Sequence, residues 1–211
     1  MADYTLHCFA QSGNAYKVAL ALEFAGADWS ARFVDFFGGE TRTPAFRACN
    51  VMGEVPMLEH RGLMLSQSGV ILEYLADTLG VFGPRDAEEH REILRWILFD
   101  NHKLTSYTAT YRYMRAFVAA PEPAVLAEFR KRSEAAWRIL DTHLATRTFV
   151  VGERLTIADL SMCGYLYFGD EFGEDWSTYP ALRAWLARIA ATPRWQHPFS
   201  LMPGHPRRAA A

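Results

Sequence analysis

Gly53-Glu54-Val55-Pro56 and, a short way on, Ser66-Gln67-Ser68-Gly69 decide how this chain is read. A Val-Pro step sits beside a short strand pattern, and a small polar cluster then opens a helix. X–Pro bonds are cis in only about 5–6% of folded cases. A cis Val55–Pro56 bond would turn the backbone N–H and C=O of Val55 outward, where a peptide-like ligand can pair with them. The Ser68 N–H and hydroxyl stand at a helix N-terminus, which suits a carboxylate. One segment thus offers an edge for a peptide backbone and a socket for its acidic end.

Around this segment the pattern is mixed. Tyr4–Cys8 reads as a buried strand, Gln11-Ser12-Gly13-Asn14 as a turn, and Ala15–Phe24 as a helix. Ala31–Phe36 is a second strand. Thr43-Pro44, an N-cap followed by proline, starts a short helix to about Cys49. Met57–Glu59 and Leu63–Leu65 flank His60-Arg61-Gly62 as a hairpin, and Ser68–Leu79 is a third helix. The order is βαβαββα. Gly80-Val81-Phe82-Gly83-Pro84 then breaks the chain, and everything after it reads as helical.

Asp86–Val118 contains neither Gly nor Pro and reads as one long helical segment. Pro121-Glu122-Pro123 starts a helix to about Leu144, Thr156-Ile157-Ala158-Asp159 starts another, and Pro180–Ala191 is a fourth. A short piece is expected around Arg194–Trp195, and Pro203–Ala211, without periodicity, is expected to be loose. The expected fold class is therefore α/β plus all-α. Residues 1–79 form the first domain, 80–86 a linker, and 87–211 an all-helical domain.

Composition narrows the function classes. The formal charge is −2 with no strong bias between the halves, which argues against nucleic acid as the partner. No apolar run approaches the ~18 residues of a spanning helix, so no membrane partner is expected. The acidic opening Met1-Ala2-Asp3 leads straight into a strand pattern, so no secretory signal is read and a cytoplasmic location is expected. Cys8, Cys49 and Cys163 are odd in number with no C-x-x-C, which excludes dithiol chemistry of that type. His7, His60 and His102 have no metal-ligand spacing, and no metal is expected.

Gly53-Glu54-Val55-Pro56-Met57-Leu58, Gln67-Ser68 and Gly152-Glu153-Arg154-Leu155-Thr156-Ile157-Ala158-Asp159 occur in this order, on an α/β domain joined to a helical one. In this the chain resembles the cytosolic glutathione S-transferase family over nearly its whole length, and a bacterial, serine-type member in particular. Val51 departs from the family, which usually carries proline after the equivalent of Asn50. The third motif reads as a capping box, in which Thr156 and Asp159 satisfy each other's backbone N–H, and Asp159 is therefore structural.

The resemblance implies a thioredoxin-like first domain and glutathione as co-substrate. Val55, with Pro56 cis, would pair its backbone with the cysteinyl unit. Gln67 and Ser68 would hold the γ-glutamyl end, with Glu54 beside them and Arg42 a candidate for the glycyl carboxylate.

Such enzymes need a thiolate. Lowering a thiol pKa from roughly 8.5 by ~2 units takes about 2.7 kcal/mol of preferential stabilisation. Ser12 lies where its hydroxyl and the Gly13 and Asn14 N–H groups converge, and serine-type members keep their catalytic serine there. It is the first candidate, with a plain N-cap as the alternative. Asn14 is the second, either capping the helix or donating its amide to sulfur. Tyr4 stands at the wrong end of its strand, and Cys8 reads as inert core.

Tyr107, Tyr111 and Met114 share a helix face and, with Phe9, either line an apolar co-substrate pocket or belong to ordinary core. Asp100 on the same segment is a candidate for reaching a partner subunit's ligand. The implied protein is a homodimeric transferase that conjugates glutathione to a small hydrophobic electrophile in detoxification. The alternatives are a glutathione-dependent isomerase or dehalogenase, or a binding or regulatory protein without turnover.

Overall fold

Residues 2–206 are described by a computed structural model of the chain. β1 (Tyr4–Cys8), β2 (Trp29–Phe33), β3 (Met57–His60) and β4 (Leu63–Ser66) form one sheet in the order β2-β1-β3-β4. β1 runs parallel to β2, pairing Leu6 with Ala31. β3 is antiparallel to β1, with Leu6 opposite Leu58, and β4 is antiparallel to β3, with Leu58 opposite Leu65. β2 lies earlier than the expected Ala31–Phe36 because β1 supplies no rung beyond Cys8. Past that point the Val34 N–H donates to Cys8 O, and the chain turns at Phe36.

α1 (Gly13–Ala25), α2 (Pro44–Cys49) and α3 (Ser68–Leu79) complete this unit. Leu6, Val18, Leu22, Leu58, Ile71 and Leu72 are fully buried. Burying such side chains stabilises by roughly 1.5–3 kcal/mol each. α1 begins two residues before the sequence reading because Ser12 accepts a hydrogen bond from the Ala15 N–H at 3.1 Å. It ends at Gly26, whose φ of 66° is left-handed.

The second unit spans Phe82–Pro193. It contains α4 (Ala87–Phe99), α5 (Thr105–Phe117), α6 (Pro123–Leu144), α7 (Ile157–Cys163), α8 (Gly169–Phe172) and α9 (Pro180–Ala190). The expected long helical segment over 86–118 is helical without a gap from Ala87 to Phe117, and the one departure is that Asp100–Leu104 forms a π turn between α4 and α5. Asp100 is fully buried and accepts from Thr105 Oγ1 and Ser161 Oγ, both at 2.6 Å. A buried carboxylate needs such partners, and Ser161 lies too far along the chain for local sequence to announce it. Trp137 packs against Phe172 and Trp176, with ring centroids 5.7 and 5.1 Å apart, and forms an aromatic core.

The end of the chain departs most from the sequence reading. Residues 194–206 group with the first unit, not with the helical domain to which 87–211 was assigned. No helix forms at Arg194–Trp195; the helical turn there is α10 (Pro198–Leu201), whose N–H at Phe199 is capped by His197. Residues 203–206, expected to be loose, are hydrogen-bonded to the first unit, as the Ala10 N–H donating to Pro203 O at 2.7 Å shows. Residues 207–211 of that expected loose tail lie outside the described residues. Among the described residues no helix is long and apolar enough to cross a membrane.

Candidate functional site

Sheet register gathers the singled-out segments at one end of the first unit. His7, near the C-terminal end of β1, pairs with Met57 at the start of β3. Met57 in turn pairs with Ser66 at the end of β4. The turn after β1, the Val-Pro step before β3 and the start of α3 therefore emerge at the same end of the sheet.

The Val55–Pro56 peptide bond is cis. Pro56 is buried and Val55 half-buried. Among the described residues neither the N–H nor the C=O of Val55 has a hydrogen-bond partner. The loop before it is braced by Asn50, which is buried. Its Nδ2 donates to Glu54 O at 2.8 Å, and its Oδ1 accepts from the Met52 N–H at 3.1 Å. Val51 is 80% exposed, so the residue that departs from the family pattern changes only the surface of this loop.

Gln67 stands before α3 with φ 69°, and its exposed amide donates to Glu54 Oε2 at 3.0 Å. It supplies no side-chain cap to α3. The first intrahelical donor is Ile71, bonded to Gln67 O, so the N–H groups of Ser68, Gly69 and Val70 point out of the helix. Ser68 is buried. Orphan N–H groups beside a buried hydroxyl, on a twelve-residue helix, form a setting for an anion.

Ser12 is buried at the N-terminus of α1. Its oxygen accepts from the Ala15 N–H, and among the described residues its own O–H has no acceptor. The capping and chemical readings of Ser12 are thus compatible: one uses a lone pair, the other the proton. Asn14 does not cap α1; it lies in the first turn, with a buried Oδ1 that lacks a partner. Tyr4 is buried and stacks on His60 at 4.0 Å, away from the end of β1. Burial pushes the Cys8 thiol up to about 12, which leaves it protonated and inert.

Two expected pocket residues turn out to be packed. Phe9 is buried and stacks on Phe36 with centroids 4.9 Å apart, and Phe37 and His205 meet its edge. Tyr111 is 1% exposed and packs against Phe172, with its hydroxyl accepting from Arg115 Nη1 at 3.3 Å, so it is core of the helical unit. Tyr107 and Met114 are half-buried. Asp100 does not face outward, since both its oxygens are bonded within its own unit. Arg42 is exposed on the turn after Gly39, its guanidinium folded over that glycine.

Asp159 completes the capping box: its carboxylate accepts from the Thr156 N–H at 2.9 Å, the Val150 N–H at 2.8 Å and Trp185 Nε1 at 2.9 Å. Sequence reasoning missed Gln11 and His205, which bond to each other across 194 residues with no local signal. No group of three or more potential metal-ligating His, Cys, Asp or Glu side chains occurs among the described residues.

Residues 2–77 match the family model "Glutathione S-transferase, N-terminal domain", and 102–193 match "Glutathione S-transferase, C-terminal domain". Elongation factor 1-gamma 1 of Oryza sativa subsp. japonica is 31% identical over 78% of this chain, which spans only 40% of that protein's length. Disulfide-bond oxidoreductase YfcG of Escherichia coli (strain K12) is 24% identical, over 88% of this chain and 89% of that protein.

Among solved structures, a possible glutathione S-transferase from Rhodopseudomonas palustris is 35% identical with a TM-score of 0.84, covering 93% of this chain and 98% of its own. A glutathione S-transferase from Pseudomonas fluorescens Pf-5 is 32% identical with a TM-score of 0.87, covering 92% and 98%. Another family member from that organism, solved with two glutathione molecules bound, is 25% identical with a TM-score of 0.80, covering 90% and 89%.

Proposed function

Starting from the fact that this chain belongs to the glutathione S-transferase family, we propose that it binds glutathione in its first unit and conjugates the sulfur to a small hydrophobic electrophile. The observation that carries this reading is the pairing of an unpartnered Val55 backbone with the uncapped start of α3. Val55 takes the cysteinyl unit as a strand partner. Ser68 and the orphan N–H groups take the γ-glutamyl carboxylate, and Gln67, beside Glu54, orients its amine.

Ser12 donates its free O–H to the sulfur while its lone pair keeps α1 capped. A hydroxyl donor together with a helix N-terminus favours the charged form of the thiol. Asn14 is the second candidate for this role, through its amide. The electrophile is taken by the helical unit, with Tyr107 and Met114 as the half-buried candidates. The exposed Val51, Met52 and Val70 of the first unit support a homodimer, which sedimentation would resolve. The role proposed with it is cytoplasmic detoxification.

Retention on immobilised glutathione, lost in Ser68→Ala, tests binding; no retention of the wild-type chain sinks the reading. Conjugation of a chlorinated aromatic substrate tests the chemistry. Loss of one preorganised donor at a developing or stored charge costs roughly a hundredfold, so Ser12→Ala loses most of the rate. Full activity in Ser12→Ala together with loss in Asn14→Ala transfers the role to Asn14.

A second reading, glutathione-dependent disulfide reduction, is supported by the likeness to YfcG along most of both chains. In that reaction two glutathione thiols supply the electrons, leave as glutathione disulfide, and convert the substrate disulfide to two thiols. Turnover of a small disulfide without conjugation of the chlorinated aromatic selects it. Retention without either activity selects the binding-only alternative.

A further inference from the structure

Pro203–Pro206 lies against the link between β1 and α1. The Ala10 N–H donates to Pro203 O at 2.7 Å. Gln11 Nε2 donates to His205 O at 2.8 Å, and the His205 N–H donates to Gln11 Oε1 at 3.1 Å. One amide side chain thus satisfies both backbone groups of His205, as a neighbouring strand would. The His205 ring sits among Phe9, Phe33 and Phe37, with centroids 5.7, 5.0 and 4.6 Å away. Its Nδ1 lies 3.7 Å from Asp35 Oδ1.

The approach is close. A Cβ on Gly204 would fall 2.7 Å from Ala10 Cβ and 3.0 Å from Gln11 Oε1. Only glycine lets the segment pass at this distance. The residues it grips, Ala10 and Gln11, immediately precede Ser12, whose own N–H donates to Phe9 O at 3.0 Å. The segment grips the few residues that set where the Ser12 hydroxyl points.

We propose that residues 203–206 form a strap that positions Ser12, with Gln11 and His205 as its positioning residues. The proposal rests on Ser12 being the thiol-activating group of the proposed function. Among the described residues no hydrogen bond joins the strap to Val55, Gln67 or Ser68, so it acts on the activation of sulfur and not on the holding of the tripeptide. A misplacement of about 1 Å in a reacting or stabilising group costs on the order of a hundredfold.

The test uses the full chain carrying Gly204→Val and, as a second variant, a chain ending at Met202. Three quantities are read: amide hydrogen exchange at residues 10–15, calorimetric affinity for glutathione, and the pKa of bound glutathione thiol from its thiolate absorbance. In both variants exchange at Ala10 and Ser12 accelerates, while affinity stays within about twofold, well under the 1.4 kcal/mol of a tenfold change. The bound thiol pKa rises by about one unit toward the free value of roughly 8.5. Turnover on saturating substrate falls about tenfold or more.

His205→Phe keeps the ring packing and both backbone bonds and restores wild-type behaviour. His205→Ala does not. Unchanged exchange at 10–15, or an unchanged thiol pKa in both variants, overturns the proposal, as does a weaker affinity with full turnover at saturation. If the wild-type chain binds no glutathione, the proposed function falls. Exchange then still decides the strap: faster exchange in the variants supports its hold on the turn, and equal exchange overturns it.

Discussion

Gln67 Nε2 donates to Glu54 Oε2 at 3.0 Å, so the residue that precedes α3 reaches back to the loop that precedes β3. The same nitrogen lies 2.8 Å from Met52 Sδ. Gln67 holds a φ of 69°, a region that L residues enter at some cost. Its side chain therefore couples the two halves of the candidate glutathione site, and its backbone is strained to allow this.

Replacing that side chain is expected to weaken glutathione binding. Gln67→Ala should raise Kd about tenfold, or ~1.4 kcal/mol, by calorimetric titration. Gln67→Gly removes the same amide but accepts the positive φ, so an equal loss assigns the effect to the side chain. A Kd within about twofold of wild type in both variants rules out a binding role for the Gln67 amide.

The three cysteines should differ sharply in reactivity. Cys8 and Cys163 are buried, Cys49 is exposed, and burial lifts the Cys8 thiol to about 12. Only the thiolate attacks an alkylating reagent. At pH 8 the native chain should therefore take one label, at Cys49, and the unfolded chain three. Mass spectrometry of tryptic peptides reads this directly. Rapid native labelling of Cys8 contradicts its placement.

Asp159 should matter to the helical unit and not to glutathione. Its replacement by alanine strips acceptors from the buried N–H groups of Val150, Thr156 and Trp185. Unsatisfied buried donors cost about 1–3 kcal/mol each, with partial relaxation. Asp159→Ala should lose about 3–5 kcal/mol in chemical denaturation, while the folded fraction keeps wild-type glutathione affinity. A loss under ~1 kcal/mol removes the structural role.

Two histidines should make stability fall in mild acid. Burial holds His7 below its ordinary value, and the nearby Arg32 adds to this; burial also lowers His143, whose Nε2 lies 2.8 Å from Val150 O. The unfolded chain then takes up protons first as pH falls. Both forms are neutral well above 6.5, so the contribution is complete there. It is lost from 6.5 downward, through the lower folded values. Urea midpoints between pH 8 and 5 should show this decline, reduced in His7→Gln. An identical slope in His7→Gln and wild type excludes His7 as a source.

Much of the fold was legible because its signals are local. A buried-strand pattern marked β1, the His60-Arg61-Gly62 hairpin marked β3 and β4, and Thr43-Pro44 and Thr156–Asp159 marked the starts of α2 and α7. The Val-Pro and Gln-Ser steps could be placed at a strand start and a helix start from their neighbours alone. The long helix over α4 and α5 was legible too, but the π turn at Asp100–Leu104 within it was not, because no Gly or Pro announces it. It depends on Ser161 meeting a buried Asp100. The helical stripe left pocket and core open for a related reason: helical spacing puts Tyr107, Tyr111 and Met114 on one face, but only packing decides that Tyr111 faces Phe172.

By itself the sequence determined the βαβαββα order of the first unit, the helical character of the second, the family, and the candidate segments at Ser12, Val55-Pro56 and Gln67-Ser68. Turn, cap and periodicity are set by residues within a few positions of each other. Tertiary structure alone decided that these segments emerge at one end of the sheet, that Ser12 caps α1 with its proton still free, and that residues 203–206 return to grip Ala10 and Gln11. Contacts such as Gln11 with His205 join residues far apart in the chain. They are fixed by which surfaces are left to bury once the elements have formed, and no local pattern encodes that.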